Sequence, residues 1–480
     1  MELTTSSLNK QYVGYMRGSL SVLYFLQFAV WGCYLTSLGQ FLGAGGLGTK
    51  IAWFYAAIGL VSLVTPALMG YLADKFVSPA RLLSLCHITA GIIMLAAWIY
   101  AQNNPQLNFN IFYPLYLLFL AFYMPTMALA NTTTFGIIKY AGYLPMDKFP
   151  AIRVWGTVGF ICAMWMVNST YWIDGHLGWT LSDSNPYAIH RFQYNSMQLF
   201  CTGCIGILTG LFALSLPTLE VNESKDKKSN NGFQIFNFKI LKEFFCNNVD
   251  KAKGVRSLSS IGVFLIFIAF IGVCMQISNG FATPFISHFM GLPEYSDSFA
   301  AGNATMLFSL SQISEALIVL IVGKSLKKWG IGIVLAIGIL AWSLRFFFFG
   351  IGNPDSGLIF LILSMIVYGI AFNFITIAGH LHMEDVSPSS AKGLGQGVMM
   401  LMSNGIGATI GVVAAGSVIN HWCQWEMVTS NSGSTMRLFM GDWNVPWIIF
   451  ASFAFLLFLS WSLYLCFKKQ RPKPSENITD

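Results

Sequence analysis

Charge is what this sequence has least of. Asp, Glu, Lys and Arg make up 10% of its 480 residues, against roughly 25% in a soluble globular chain. So few charges cannot cover a water-facing surface of this size, which excludes an ordinary cytosolic enzyme. A disordered chain is excluded too, since that state needs high charge and few apolar residues. The 27 basic residues are too sparse for a nucleic-acid binder. No cysteine framework is visible. Most of the nine cysteines fall in apolar runs, where Cys behaves as a small hydrophobe. Cys201 and Cys204 form a CxxC without a companion pair, so no metal or redox role is read from them. No P-loop, no HExxH and no intramembrane Asp pair occurs. ATP-driven transport by this chain alone and intramembrane hydrolysis are therefore not expected, nor is a cofactor. What is abundant is apolar: 55% of residues are hydrophobic and 15% aromatic, and mean hydropathy is +0.61. The composition is that of an all-α polytopic membrane protein.

A transmembrane helix needs about 20 apolar residues. Twelve stretches qualify, at about 18–43, 49–73, 80–102, 111–135, 151–169 and 194–217, then 257–288, 300–323, 331–351, 355–381, 392–419 and 444–467. They are continuous apolar runs without the alternation of barrel strands. No cleavable signal pattern is read at the N-terminus. Of the 27 basic residues, 22 fall on one side of this layout, including Lys75, Arg81, Lys139, Lys324 and the tail Lys468–Lys473. Lys50, Arg191 and Arg437 fall on the other. The positive-inside rule then puts both termini in the cytoplasm. The net charge of +7 reflects that topology and implies no acidic partner.

A polar, lysine-rich segment at 217–256 divides the chain. Six spans precede it (1–216) and six follow (257–467), with a tail at 468–480. Within the segment, Phe233 to Cys246 is expected to form an amphipathic helix on the inner leaflet. Six plus six with a long connector is the outline of a major facilitator fold, in which two halves rock about a midplane site. The sequence Gly70-Tyr-Leu-Ala-Asp74-Lys75 between spans two and three resembles the facilitator motif G-x-x-x-D-[RK]. Its glycine permits close helix approach, and its acid can latch one conformation. The plain alternative is that Asp74 and Lys75 only flank a helix. After span eight, Gly323-Lys324-Ser-Leu-Lys327-Lys328 keeps the glycine and bases without the acid.

Of the twenty acidic residues, Glu315 lies well inside a span. It is nine residues from Lys324, roughly 13 Å deep at about 1.5 Å per residue. An unpaired carboxylate there costs about 3 kcal/mol or more. Gln312 precedes it by three residues, and Gln276 and Asn279 repeat that i, i+3 spacing in span seven. Interhelical hydrogen bonding alone would explain the amides. A central Glu points instead to a solvated binding cavity. Arg153 opens span five, either as a positive-inside flank or as a site residue. Arg345 is read as snorkelling towards a headgroup region. Trp31, Tyr34, Tyr123, Tyr368 and Phe372 share spans with polar groups and offer stacking faces. His380 is placed near the cytoplasmic end of span ten. Span eleven is rich in small residues (Gly393, Gly395, Gly397, Gly405, Gly407, Gly411), which allow close packing and sliding.

Several stretches carry a family resemblance: FLQFAVWGCYLTSLG (26–39), TPALMGYLADK (65–75), FPAIRVWGTVGFICAMW (149–165), MQISN (275–279), SLSQISEAL (309–317), LSMIVYGIAFNF (363–374) and GQGVMMLMSNGIG (395–407). In this order they make the chain resemble the nucleoside:proton symporter family of the major facilitator superfamily. The resemblance implies a twelve-helix importer of the bacterial inner membrane, acting as a monomer on nucleoside and proton. It implies a site of Arg153, Thr157, Phe160, Gln276, Asn279, Gln312, Glu315, Tyr368 and Phe372. Amides suit a nucleobase edge, rings its face, and a carboxylate the ribose hydroxyls. Glu315 is assigned to ribose or to the proton cycle, because a carboxylate can change charge as its surroundings change. Where the family carries an Asp after the Phe of span ten, this chain has Asn373, which cannot carry a proton. Coupling through Glu315, or loss of coupling, follows as an expectation. An uncoupled facilitator, an importer of a related glycoside and a transporter-fold sensor remain alternatives. The outer loops at about 170–193 and 420–443 are longer than the family minimum, with no role read for them.

Overall fold

In lipid every backbone polar group must be satisfied within its own segment, and the apolar runs accordingly fold as helices. The computed structural model describes residues 5–182, 185–217, 260–295, 298–386, 398–429 and 435–470. The connector at 218–259, with its expected amphipathic helix, lies outside the described residues, as do 387–397 at the start of span eleven and the tail from 471. Span one is Thr5–Tyr34, extended by the short helix Leu38–Ala44. Span two is broken into Ile51–Ser62 and Thr65–Lys75, because Pro66 has no N–H to offer the turn before it. Spans three to six are Pro79–Asn103, Phe109–Tyr140, Pro145–Ser169 and Met197–Leu214. Span seven is Ser260–His288. Spans eight and nine form one run of 48 residues, Ala304–Ile351, that turns at Gly330 (φ 75°). That backbone conformation favours glycine, and the helix reaches it through the lysines expected to lie in a loop. Spans ten, eleven and twelve are Leu358–Val386, a run ending in Ala408–Trp422, and Asn444–Gln470. Ten described helices are long and apolar enough to cross a membrane. Dividing the 48-residue run at Gly330 and counting the broken span two recovers twelve.

Helix pairing in the first set repeats in the second. Span one packs on five as seven packs on eleven, and three packs on six as nine packs on twelve. Between the sets, two packs on eleven and five on eight. Small residues permit the closest of these approaches. A Cβ on Gly32 would fall against the Phe160 carbonyl oxygen, and one on Gly407 against that of Ala269. Around Gly407 span eleven widens into a π-helical stretch, Leu401–Gly407.

The two long loops are β-hairpins in matching places. β1 (Thr170–Ile173) and β2 (His176–Trp179) follow span five. β3 (Cys423–Thr429) and β4 (Thr435–Gly441) follow span eleven. Asp174 and Gly175 supply the positive φ values, 47° and 79°, of the first tight turn, the usual requirement of a two-residue hairpin. In the second hairpin Trp425 pairs with Phe439 across the strands, rings 4.9 Å apart and stacked. The Trp425 ring also covers Gly43 and Gly48. These hairpins define one end of the molecule, the hairpin end; the start of span one and the end of span twelve lie at the other.

Candidate functional site

The apolar span runs Ala151–Ser169 as expected, but its helix begins earlier, at Pro145. Arg153 is therefore about two helical turns inside the helix, roughly 12 Å from its start at 1.5 Å per residue, and close to the start of the apolar span. Arg153, Thr157 and Phe160 follow i, i+4, i+7 and share a face. Arg153 and Thr157 are partly exposed, whereas Phe160 is buried. The Arg153 guanidinium lies 4.0 Å over the Phe28 ring of span one. One turn before Phe28, the Tyr24 hydroxyl donates to Asn131 Oδ1 at 2.5 Å.

On the facing side, Gln312 and Glu315 are partly exposed in mid-helix. Arg153 and Glu315 are close enough to attract one another electrostatically. They stand on spans five and eight, which meet across the two sets. Asn279 is partly exposed and Gln276 buried. Gln276 Oε1 has no hydrogen-bond partner among the described residues. The Tyr368 and Phe372 rings stack at 5.7 Å and 18°, with Trp342 edge-on to Tyr368 at 5.8 Å. Spans five, seven, eight and ten thus carry a guanidinium, amides, a carboxylate and stacked rings.

Asn373 stands differently from its neighbours. It is buried, and its Nδ2 donates to the Glu315 backbone carbonyl at 2.7 Å. It braces span ten on span eight at the position of the carboxylate. Arg345 departs from expectation outright. It does not snorkel: its side chain is fully buried among spans seven, eight and ten, because hydroxyl and carbonyl acceptors there satisfy the guanidinium. Gly70, Asp74 and Lys75 lie on the second segment of span two, but the Asp74 and Lys75 side chains are outside the described ones.

Sequence reasoning did not single out Phe28, Tyr24 or Asn131. The signal was present, since Tyr24, Phe28 and Trp31 recur at i, i+4, i+7 in span one. Of the aromatics that were named, Tyr34 and Tyr123 are fully buried core residues. Gln27 is an internal strut: its Nε2 donates to Thr126 Oγ1 at 2.7 Å and its Oε1 lies 2.5 Å from His87 Nε2.

At the hairpin end the sets are joined by a buried polar network. Asn303, at the start of span eight, accepts from Asn168 Nδ2 (2.7 Å) and Arg191 Nη1 (3.0 Å) on Oδ1. Its Nδ2 donates to the Leu181 carbonyl at 2.9 Å. The Tyr194 hydroxyl and Gln193 Nε2 donate to the Gly302 carbonyl at 3.2 and 3.3 Å. Trp165 Nε1 donates to Ser309 Oγ at 2.8 Å, and Gln40 donates to Ser287 Oγ. The hairpin end is closed.

Comparisons with known proteins agree with this architecture. A family model described as nucleoside H+ symporter matches residues 16–472. The xanthosine permease of Escherichia coli (strain K12) is 32% identical over 459 residues, 94% of this chain and 95% of the relative. The nucleoside permease NupG of the same organism is 32% identical over 464 residues, 94% of this chain and 96% of the relative. The crystal structure of the nucleoside transporter NupG superposes with a TM-score of 0.75 at 30% identity, covering 94% of this chain and 99% of that one. The xylose transporter XylE from E. coli, at 10% identity and a TM-score of 0.54, covers 95% of this chain and 96% of its own and shares the fold alone. The protein is a multi-pass membrane transporter with the major facilitator fold, not an enzyme, and it belongs to the nucleoside H+ symporter family.

Proposed function

We propose that this protein imports nucleosides across the bacterial inner membrane by alternating access, coupled to inward proton movement through Glu315. The observation that carries this reading is a guanidinium and a carboxylate, Arg153 and Glu315, standing inside two helices that pack on each other across the sets, spans five and eight. Charges within a span are functional by default. Tyr368 and Phe372 supply a stacking face for the base, and Gln276, Asn279 and Gln312 supply amides for its edge. Glu315 accepts from ribose or carries the proton, with Arg153 as its counter-charge. Thr157 and Phe160 continue the span-five wall. The repeat of helix pairings supports the division into rocking halves, 1–216 and 257–467.

With both termini cytoplasmic, the closed hairpin end faces outward and the site is reached from the inside. On that side Gly70, Asp74 and Lys75 form the proposed latch of one conformation. Protein reconstituted into liposomes tests the reading. Uridine accumulation that rises with an inward proton gradient, and that Glu315→Gln abolishes, is the expected result. Unchanged accumulation in that variant would remove Glu315 from the mechanism. Asn373 favours a second reading, an uncoupled facilitator, because it braces the backbone where a relative could carry a proton. In that case nucleoside equilibrates identically with and without the gradient. Competition by nucleosides, free bases and sugars separates a nucleoside from a related glycoside as substrate. Binding without counterflow would indicate a sensor.

A further inference from the structure

We infer that Arg345 is a positioning residue for nucleoside recognition, holding spans seven, eight and ten in register and presenting the Tyr368 ring. This rests on the assignment of the nucleoside site above. Arg345 stands on span nine, which contributes no candidate substrate contact of its own. Its Nε and Nη2 donate to Ser278 Oγ at 3.0 and 2.8 Å. Its Nη1 donates to Ser311 Oγ at 3.2 Å and to the Ser364 carbonyl at 2.8 Å. The Ser364 hydroxyl donates back to the Arg345 carbonyl at 3.0 Å. The guanidinium also lies 4.5 Å from the centroid of Tyr368 and 5.5 Å from that of Phe308.

Each anchor adjoins a site residue. Ser278 lies between Gln276 and Asn279, Ser311 directly precedes Gln312 and is one turn from Glu315, and Ser364 is one turn before Tyr368. A single planar group thus ties together the three helices that carry the amides, the carboxylate and the stacking rings. A buried charge is a poor way to gain stability alone, since apolar packing of similar volume does as well or better. The rigid fork of a guanidinium does what apolar packing cannot, because it sets direction as well as distance. Among the described residues the partners of Arg345 are hydroxyls, a carbonyl and aromatic faces. Geometry, not a salt bridge, is what this charge contributes.

The test is uridine transport and binding by Arg345→Lys in liposomes and nanodiscs, beside Ser278→Ala, Tyr368→Leu and the Arg345→Lys/Tyr368→Leu double variant. Lysine keeps the charge and loses the fork. KM and Kd for uridine are expected to rise about tenfold or more, as a displacement near 1 Å would produce, while kcat stays near wild type; the thermal midpoint falls, because buried acceptors lose charged donors, and transport is read well below it. Ser278→Ala is expected to shift KM in the same direction by a smaller factor. The double variant should lose less than the product of the two single effects, since part of what Arg345 does runs through that ring. A folded Arg345→Lys protein with wild-type KM, or effects that multiply in the double variant, would overturn the inference. If Arg345→Lys does not fold, Ser278→Ala/Ser311→Ala removes two acceptors with Arg345 retained and carries the same expectation, and an unchanged KM there is equally decisive against it. Wild-type protein that moves no nucleoside would refute the site assignment and not the role of Arg345 within it.

Discussion

Replacing Asn303 with Ala should open the hairpin end. In the closed state Asn303 joins the two helix sets through three hydrogen bonds, to Asn168, Arg191 and the Leu181 carbonyl. A neutral bond contributes about 1 kcal/mol net and one to a charged group about 1.5–3. Two of the three share one acceptor oxygen, so the sum is discounted to about 3 kcal/mol. When the end opens, water takes over these partners, so the loss falls on the closed state alone. At 1.4 kcal/mol per decade, that shifts the closed-to-open ratio by about two orders of magnitude. Spin labels at Asp174→Cys and Glu294→Cys, both exposed at the hairpin end and on opposite sets, report the separation. They require a background in which the exposed Cys162, Cys204 and Cys466 are replaced. A long-distance population, minor in the parent, should dominate in the Asn303→Ala variant. A distance distribution unchanged in folded protein would show that the network does not hold the end closed.

Asn373→Asp removes the N–H that supports the Glu315 carbonyl. It should lower stability by about 1–3 kcal/mol and make uptake depend more steeply on external acidity, as read from initial rates across a pH series. Gly32→Val places atoms against the Phe160 carbonyl and should separate spans one and five, costing about 1–3 kcal/mol and most transport activity. Thermal melts and uptake check it. Trp425→Ala uncovers Gly43 and Gly48 and removes the stack on Phe439. A fall in thermal midpoint is expected, with a shift towards the open hairpin end in the same label pair, and an unaltered midpoint would count against a packing role for that hairpin.

Much of the candidate site was legible because a membrane makes polar residues conspicuous. Glu315, Gln312, Gln276 and Asn279 stood out by rarity and spacing. The same reasoning misplaced Arg345, since a basic residue near a span end has two outcomes, headgroup or buried partners, and the partners come from three other helices. Arg153 was ambiguous for a related reason. Its depth depends on where the helix starts, and Pro145, permitted in a first turn, starts it earlier than hydropathy does. Asn373 drew notice as a missing acid, but its bond to the Glu315 backbone is a property of two helices together. The first hairpin had a local signal in Asp174-Gly175, passed over beside the stronger helical pattern.

The sequence by itself determined the class, the number of spans and the expected orientation. Those follow from one-dimensional quantities: the length of apolar runs, the placement of Lys and Arg, and the cost of charge in hydrocarbon. Only the tertiary structure decided which polar residues meet. Asn303 gathers Asn168 and Arg191, and Arg345 ties three helices, because packing brings residues tens to more than a hundred positions apart into contact. A buried polar group is settled by its partners, and no periodicity along a single helix names the helix that will supply them.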